Sequence, residues 1–130
     1  MVKFPLEGSE EGESWSGTAS FIKKLAKNIF IIETAAHNFI RYDYDSKLKR
    51  HVAREAAEAY MYLQRHGEDQ YKVRLKVITW DVYPEYHKND GPISGRDYAL
   101  GLVVIDDPTF DQYGKTMNYR FESDIKVFEL

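Results

Sequence analysis

Residues 28–34 of the chain read Asn-Ile-Phe-Ile-Ile-Glu-Thr, and His37 follows after two alanines. β-branched and aromatic side chains dominate this stretch, and that composition favours a β-strand. Upstream, residues 17–23 alternate apolar with small polar side chains, and residues 25–28, Leu-Ala-Lys-Asn, have the character of a turn. The sequence therefore predicts a β-hairpin whose second strand ends close to His37.

Two later segments also have strand patterns. Residues 71–82 largely alternate apolar with charged positions, which is the period of a half-buried strand. Residues 98–105 are apolar at nearly every position, which predicts a strand covered on both faces. Gly101 within this run indicates a bend or a close approach of another part of the backbone.

The middle of the chain contains two predicted elements of different kinds. Residues 47–58 are rich in strong helix formers and follow Ser46, a suitable N-cap, so we expect a helical insertion there. Residues 59–65 fit either a continuation of this helix as far as Gly67 or a strand. We favour the strand, because residues 66–69, His-Gly-Glu-Asp, suit a hairpin turn.

The two ends of the chain are more polar. Residues 1–14 contain the acidic, glycine-punctuated run Glu-Gly-Ser-Glu-Glu-Gly-Glu, which predicts a flexible lead-in and a fold that begins near Trp15. Residues 15–130 are then expected to form a single domain. Within it, residues 106–130 are interpreted as a linker and one last strand, the alternating run at 119–128.

Composition restricts the class of protein. With 130 residues, of which 43% are hydrophobic and 30% charged, the chain has enough apolar material for one core. A net charge of −3 argues against a nucleic-acid partner, and the short apolar runs argue against a membrane partner. Neither an export signal nor a cysteine is visible, so the compartment stays open and an intracellular location is favoured.

His37 and Asp97 are the candidate catalytic residues. His37 follows a predicted strand in a context of small residues, and Asp97 precedes another predicted strand. An aspartate that accepts the Nδ1 proton of a histidine fixes its tautomer and stabilises the imidazolium that forms when Nε2 takes up a proton. The alternative is that the histidine merely ends a strand and the aspartate caps a turn.

Metal and cofactor sites have no sequence support. The histidines lie far apart and cysteine is absent, so no known metal-ligand spacing is present. Asp43 and Asp45 supply too few carboxylates for a calcium loop, and a helix-capping role explains them better. Residues 91–95 contain glycines but lack the lysine of a phosphate-binding loop. We assign neither a metal nor a cofactor.

Four stretches together resemble the N-terminal barrel of the chymotrypsin-like (trypsin-like) serine proteases, in particular the cysteine-free branch of V8-like glutamyl endopeptidases. They occur in the order of that family, at residues 16–22, 31–38, 82–86 and 96–102, and the Thr-Ala-Ala-His sequence of the second is the most specific. The resemblance implies an all-β fold, a single six-stranded antiparallel barrel that forms half of a double barrel.

The chain also departs from that family. Asn38 stands where many trypsin relatives have a cysteine, Glu33 interrupts a strand that is normally apolar, and the predicted helix lengthens the span between the histidine and the aspartate. The family's nucleophile loop and oxyanion hole belong to a second barrel, to which nothing in this chain can be matched. Ser14, Ser16 and Ser94 lie outside any nucleophile motif, so we expect none of them to be the nucleophile.

The function expected from the sequence is that of a noncatalytic member of the protease family, a pseudoenzyme that acts through protein contacts. A lone barrel is expected to need a protein partner or a second barrel, within an oligomer or a larger assembly. The alternative is the N-terminal half of a serine endopeptidase, with His37 and Asp97 as two members of the triad and the serine supplied elsewhere.

Overall fold

The protein is described by a computed structural model over residues 4–10, 12–63, 73–83, 97–106 and 108–109. Its strands in these ranges are β1 (Phe4–Glu10), β2 (Glu13–Ala26), β3 (Ile29–Thr34), β4 (Ile40–Asp45), β5 (Arg50–Glu55), β6 (Glu58–Leu63), β7 (Val73–Val82) and β8 (Ala99–Val104). A short 3₁₀ helix, Ala36–Asn38, joins β3 to β4.

Six of these strands close into an antiparallel barrel. Their order around the barrel is β1-β2-β3-β8-β7-β6, and β1 completes the ring by pairing with both β2 and β6. Closure satisfies the backbone hydrogen-bonding groups of neighbouring strands without leaving an open sheet edge. The predicted all-β fold with a six-stranded antiparallel barrel is confirmed, and so is the strand favoured at residues 59–65, which is observed as β6.

Alternate side chains fill the interior of the barrel. In β7 the apolar residues Val73, Leu75 and Val77 are buried, whereas Arg74 and Lys76 between them are exposed. Successive side chains of a strand point to opposite faces, so a period of two separates core from surface. The buried core comprises Phe4, Leu6, Ala19, Phe21, Phe30, Ile32, Ala36, Phe39, Ile40, Ala59, Met61, Leu63, Val73, Leu75, Val77, Val82, Ala99, Val103 and Ile105.

Gly101 is placed where two barrel side chains approach the backbone of β8. A Cβ atom at this position would lie 3.0 Å from Cγ1 of Ile32 and 3.1 Å from Cγ1 of Val77. Both contacts are tighter than ordinary packing allows, so a larger residue would push the core side chains outward. A close approach at Gly101 is therefore present, but it is made by side chains of β3 and β7 rather than by the backbone approach that was predicted.

The helical insertion predicted at residues 47–58 was wrong. β4 and β5 form an antiparallel hairpin outside the barrel, in register from Ile40 opposite Glu55 to Asp45 opposite Arg50. Helix propensities among ordinary residues differ by at most about 0.7 kcal/mol per position, so a strand partner can override them. Here β4 is that partner, and its pairing with β5 could not be read from the local sequence of β5.

The turn of this hairpin shows a second reason for the wrong prediction. The Asp45 side chain accepts hydrogen bonds through Oδ1 from the backbone N–H groups of Lys47 and Leu48, at 2.8 and 3.1 Å. Lys49 then adopts a left-handed backbone conformation, with φ of 53°. An aspartate that caps a turn and an aspartate that starts a helix look alike in sequence, because both accept bonds from the N–H groups that follow.

The flexible lead-in predicted at residues 1–14 was also wrong where the structure describes it. Residues 4–10 form β1, which lies between β2 and β6. Phe4 and Leu6 point into the core, whereas Glu7 is exposed. Glu7 occupies an outward position of the strand and Glu10 is half-buried at its end, and these charges hid the alternation in a sequence dominated by charge and glycine.

The remaining expectations differ in outcome. The hairpin of β2 and β3 is confirmed, with its turn at Lys27 and Asn28, and so are the strands β7 and β8. The prediction that β8 is covered on both faces was wrong, because Val104 is exposed and Leu100 and Leu102 are only half-buried. The turn predicted at residues 66–69 and the strand predicted at 119–128 lie outside the described residues, and the assignment of residues 15–130 to a single domain stays a prediction. Within the described ranges, no helix has the length and apolar character needed to cross a membrane.

The role of β1 in the barrel can be tested with two leucine substitutions. Leu6→Ala removes a side chain that is 1% exposed and should lower the free energy of unfolding by about 2–5 kcal/mol. The matched control Leu25→Ala, at a position that is 50% exposed, should change it by no more than about 0.5 kcal/mol. Urea denaturation followed by far-UV circular dichroism measures both. Equal and small effects would mean that β1 does not belong to the folded barrel.

Candidate active site

His37 and Asp97 are brought together by the pairing of β3 with β8. The two strands are antiparallel, with Thr34 opposite Ala99, so the end of β3 and the start of β8 lie at the same end of the barrel. His37 lies in the 3₁₀ helix just after β3, and Asp97 lies just before β8. Two residues 60 positions apart in sequence are therefore neighbours in the fold.

The Asp97 carboxylate binds His37 at two points. Its Oδ1 atom accepts a hydrogen bond from the backbone N–H of His37 at 2.8 Å, and its Oδ2 atom lies 2.5 Å from Nδ1 of the imidazole. An ionised carboxylate can only accept, so Nδ1 must carry the proton, and in the neutral imidazole Nε2 then holds the lone pair. The two bonds fix both the tautomer and the direction of the ring, and we call this pair the dyad.

The dyad lies at the surface of the barrel. The His37 side chain is 58% exposed and that of Asp97 38% exposed. A proton acceptor must be reached by the group that it deprotonates, so this exposure suits a base that meets a partner from outside the chain. The geometry expected from the sequence for His37 and Asp97 is present, whereas a catalytic role for them stays a prediction.

Two open grooves flank the imidazole. The first, the β8-side groove, has a volume of about 470 Å³ and is lined by Gly17, Thr18, Ala19, Ser20, Glu33, Thr34, Ala35, His37, Asn38, Asp97 and Tyr98. The second, the hairpin-side groove, has a volume of about 410 Å³ and is lined by Trp15, Ser16, His37, Asn38, Arg41, Tyr42 and Asp43. A chain laid across the dyad could contact both grooves.

Glu33, the unexpected charge in β3, has a partner in the β8-side groove. Its Oε2 atom accepts a hydrogen bond from the Tyr98 hydroxyl at 3.0 Å. Partial burial of the phenol, and then the bond to the Glu33 carboxylate, raises the pKa of Tyr98 above its usual value. Sequence reasoning missed this pair, and the only signal was that the tyrosine directly follows Asp97 and the glutamate lies on the strand that ends before His37.

The hairpin-side groove is lined by an aromatic and a cationic side chain. The guanidinium of Arg41 lies over the Trp15 ring, 5.3 Å from its centroid, and its Nη2 atom is 3.6 Å from Oδ1 of Asp43. The other oxygen of Asp43 accepts a 3.1 Å hydrogen bond from Arg54. Arg54 is also paired with Glu13, which with Asp43 raises the pKa of the Arg54 side chain above its usual value.

None of the predicted alternatives to the dyad gains support as a site. The helix-capping role predicted for Asp43 and Asp45 was wrong, because Asp45 caps the turn of the β4–β5 hairpin and Asp43 pairs with arginines. Ser14 and Ser16 lie on β2, and Ser94 is outside the described residues. In the described ranges, no three His, Asp or Glu side chains form a group that could hold a metal ion.

Comparison with known proteins gives no family for this chain. No protein-family model matches it, and neither the curated proteins nor the solved structures include a match. The class that the fold and the site define is therefore a closed six-stranded antiparallel β-barrel carrying a histidine–aspartate pair at one end. This architecture is compatible with one half of a trypsin-like double barrel.

The orienting role of Asp97 can be tested by Asp97→Asn. The asparagine amide can donate to Nδ1 as well as accept from it, so the Nε2–H tautomer of His37 should become populated. The ¹⁵N chemical shifts of the imidazole, recorded at a pH where the ring is neutral, distinguish the two tautomers. Asp81→Asn, at an exposed position on β7, is the matched control and should keep the Nδ1–H form. An unchanged tautomer in Asp97→Asn would contradict the bond described above.

The Glu33 and Tyr98 pair predicts a pH dependence. Because the folded pKa of Tyr98 is raised above the usual tyrosine value of 10.0, the fold favours the protonated phenol. The resulting stability is present below that value and is lost as the pH rises through the folded pKa. Tyr98→Phe should therefore lose less thermal stability than the wild type above about pH 10. Tyr44→Phe, at an exposed position of the hairpin, should follow the wild-type curve.

Proposed function

We propose that this barrel is one half of a trypsin-like serine endopeptidase and that His37 is its general base. The observation that carries the proposal is the double acceptance by Asp97, which binds both the backbone N–H and the Nδ1 atom of His37. A surface histidine that needed only charge neutralisation would require one bond. The bond from the backbone N–H holds the carboxylate against the turn, and the bond to Nδ1 then holds the imidazole in a single direction, as proton transfer requires.

The chemistry assigned to the dyad is that of the base half of a triad. Nε2 of His37 takes the proton from a serine hydroxyl as its oxygen attacks a peptide carbonyl, and Asp97 stabilises the imidazolium that results. The imidazolium then gives its proton to the amine that leaves. The two grooves beside His37 offer room for the peptide on either side of this step.

A second barrel would supply what this half lacks. The serine nucleophile and the N–H groups of an oxyanion hole must meet at one carbonyl, a few ångströms from Nε2. The exposure of His37 and the open grooves are consistent with a surface against which such a barrel packs. The order of the four protease-like stretches along the chain also supports this proposal.

A second candidate function is that of a noncatalytic binding domain of the same family, acting within an oligomer or assembly. The observation in its favour is apolar exposure on the outside of the barrel, where Ile78 on β7 and Val104 on the neighbouring β8 are both exposed. Tyr44 and Leu48 of the hairpin are exposed as well. A protein partner would remove such side chains from water.

Labelling and kinetics decide between the two candidates. The native protein that carries this chain should react with a fluorophosphonate probe and hydrolyse peptides. Asp97→Asn should lower kcat by about four orders of magnitude, because the wrong tautomer of His37 cannot accept the proton. His51→Gln, on β5 of the hairpin, should leave kcat unchanged.

Two outcomes would contradict this proposal. If the native protein neither reacts with the probe nor cleaves peptides, yet purifies as a stable complex, the endopeptidase proposal fails and the binding domain is favoured. If activity is present but Asp97→Asn retains it, the dyad is not the base of the reaction.

A further inference from the structure

The 3₁₀ helix that carries His37 has little support of its own. It spans Ala36–Asn38, and Ala35 before it makes no side-chain capping bond. Its internal hydrogen bonds run from the Asn38 N–H to Ala35 O at 3.1 Å and from the Phe39 N–H to Ala36 O at 2.9 Å. One turn of 3₁₀ helix has no rigidity beyond such bonds, so the direction of His37 must be set by contacts outside it.

Asn38 provides contacts of that kind. Its side-chain Nδ2 donates to Oγ1 of Thr34 at 2.7 Å, and the Thr34 hydroxyl donates in turn to the backbone O of Thr18 at 2.6 Å. Its backbone O accepts a 2.8 Å hydrogen bond from Nε1 of Trp15. Asn38 is 4% exposed, so these bonds are shielded from water. They tie the residue next to His37 to both β2 and β3.

The direction of the Asn38 amide is determined by this network. The Thr34 hydroxyl has one proton, which it donates to Thr18, so it can only accept from Asn38. The amide nitrogen must therefore face Thr34. Its Oδ1 atom faces Gly17, where an added Cβ atom would clash with it, so β2 keeps a glycine at this point. An aspartate at position 38 would have the same shape but no proton for Thr34.

The far end of the same turn is held independently of Asn38. The Phe39 ring stacks on Trp80 with centroids 4.9 Å apart, and Phe39 O accepts a 2.8 Å bond from the Ala56 N–H. Loss of the Asn38 bonds should therefore leave the turn in place while it loosens the direction of His37. That separation makes an effect on the dyad distinguishable from an effect on folding.

We propose that Asn38 is a positioning residue for His37: its bonds to Thr34 and Trp15 hold the turn so that both N–H groups of His37 face Asp97. In catalytic terms this rests on the proposed function, because the direction of His37 affects a reaction only if His37 is the base. In structural terms it stands on the contacts alone. The hydrogen bonds of Asn38 thus link the turn to β2 and β3.

The test uses the full chain and the ¹⁵N shifts of His37 with no substrate present. Asn38→Asp and Thr34→Val each remove one donor of the network while nearly keeping the volume of the side chain, and Trp15→Phe removes the indole donor together with part of the ring. Each should raise the ratio of the Nε2–H to the Nδ1–H tautomer of His37 by about fivefold. This is the change in an equilibrium constant that corresponds to the loss of one typical hydrogen bond. Thr34→Ser retains the hydroxyl and should keep the wild-type ratio.

A destabilised control separates positioning from folding. Met61→Ala empties a fully buried site on β6, a strand that adjoins neither β3 nor β8. It should lower the melting temperature at least as much as the network variants do, yet leave the tautomer ratio unchanged. If the network variants lower the melting temperature and also leave the ratio unchanged, Asn38 only stabilises the fold and the inference is wrong. Should Asn38→Asp fail to fold, Thr34→Val and Trp15→Phe decide the question.

Activity provides a separate readout in the native protein. There Thr34→Val should lower kcat by about fivefold with KM unchanged, and Thr34→Ser should restore it. A shifted tautomer in a protein without peptidase activity would leave the positioning role intact and remove the proposed function. Peptidase activity with an unshifted tautomer would overturn the positioning role and leave the proposed function intact.

Discussion

The hydrogen-bonded pairing of β3 with β8 is the constraint on which the candidate site depends. Because the two strands run antiparallel with Thr34 opposite Ala99, the turn after one and the loop before the other must meet at one end of the barrel. Neither His37 nor Asp97 needs to be buried for this to happen. The core beneath them, filled by inward residues of all six strands, holds the register and therefore the distance between the two side chains.

Glu33, Arg41 and Asn38 around the dyad each have specific partners, although Oδ1 of Asn38 is buried without a hydrogen-bond donor among the described residues. Glu33 binds the Tyr98 hydroxyl on one side of His37, and Arg41 lies over Trp15 on the other. Beneath the histidine, Asn38 is held by Thr34 and by the Trp15 indole. Each side chain that looked out of place in an apolar context has a partner from another strand, because a polar group withdrawn from water is costly unless it is hydrogen bonded.

Local patterns predicted the strands well where one face is apolar and the other polar. β7 is the clearest case, since its period of two is visible in the sequence and is observed in its burial. The same reasoning failed for β1, where glycine and acidic residues obscure the alternation, and for β5, where strong helix formers pair with β4 instead. In both cases the deciding interaction is pairing with another strand: β1 pairs with β2 and β6, and β5 pairs with β4. These partners could not be recognised from the local sequence, so tertiary context overruled intrinsic propensity.

From residue types and their spacing, the sequence alone determined the strand that ends before His37 and the candidacy of His37 with Asp97, whereas the barrel class was implied by the resemblance of four stretches to a protease family. Only the tertiary structure decided that the two side chains touch, that Asp97 accepts two bonds rather than one, and that Asn38 joins the turn to two strands. Those facts depend on the register between strands far apart in sequence. Register is settled by how the whole core packs, and no single segment contains that information.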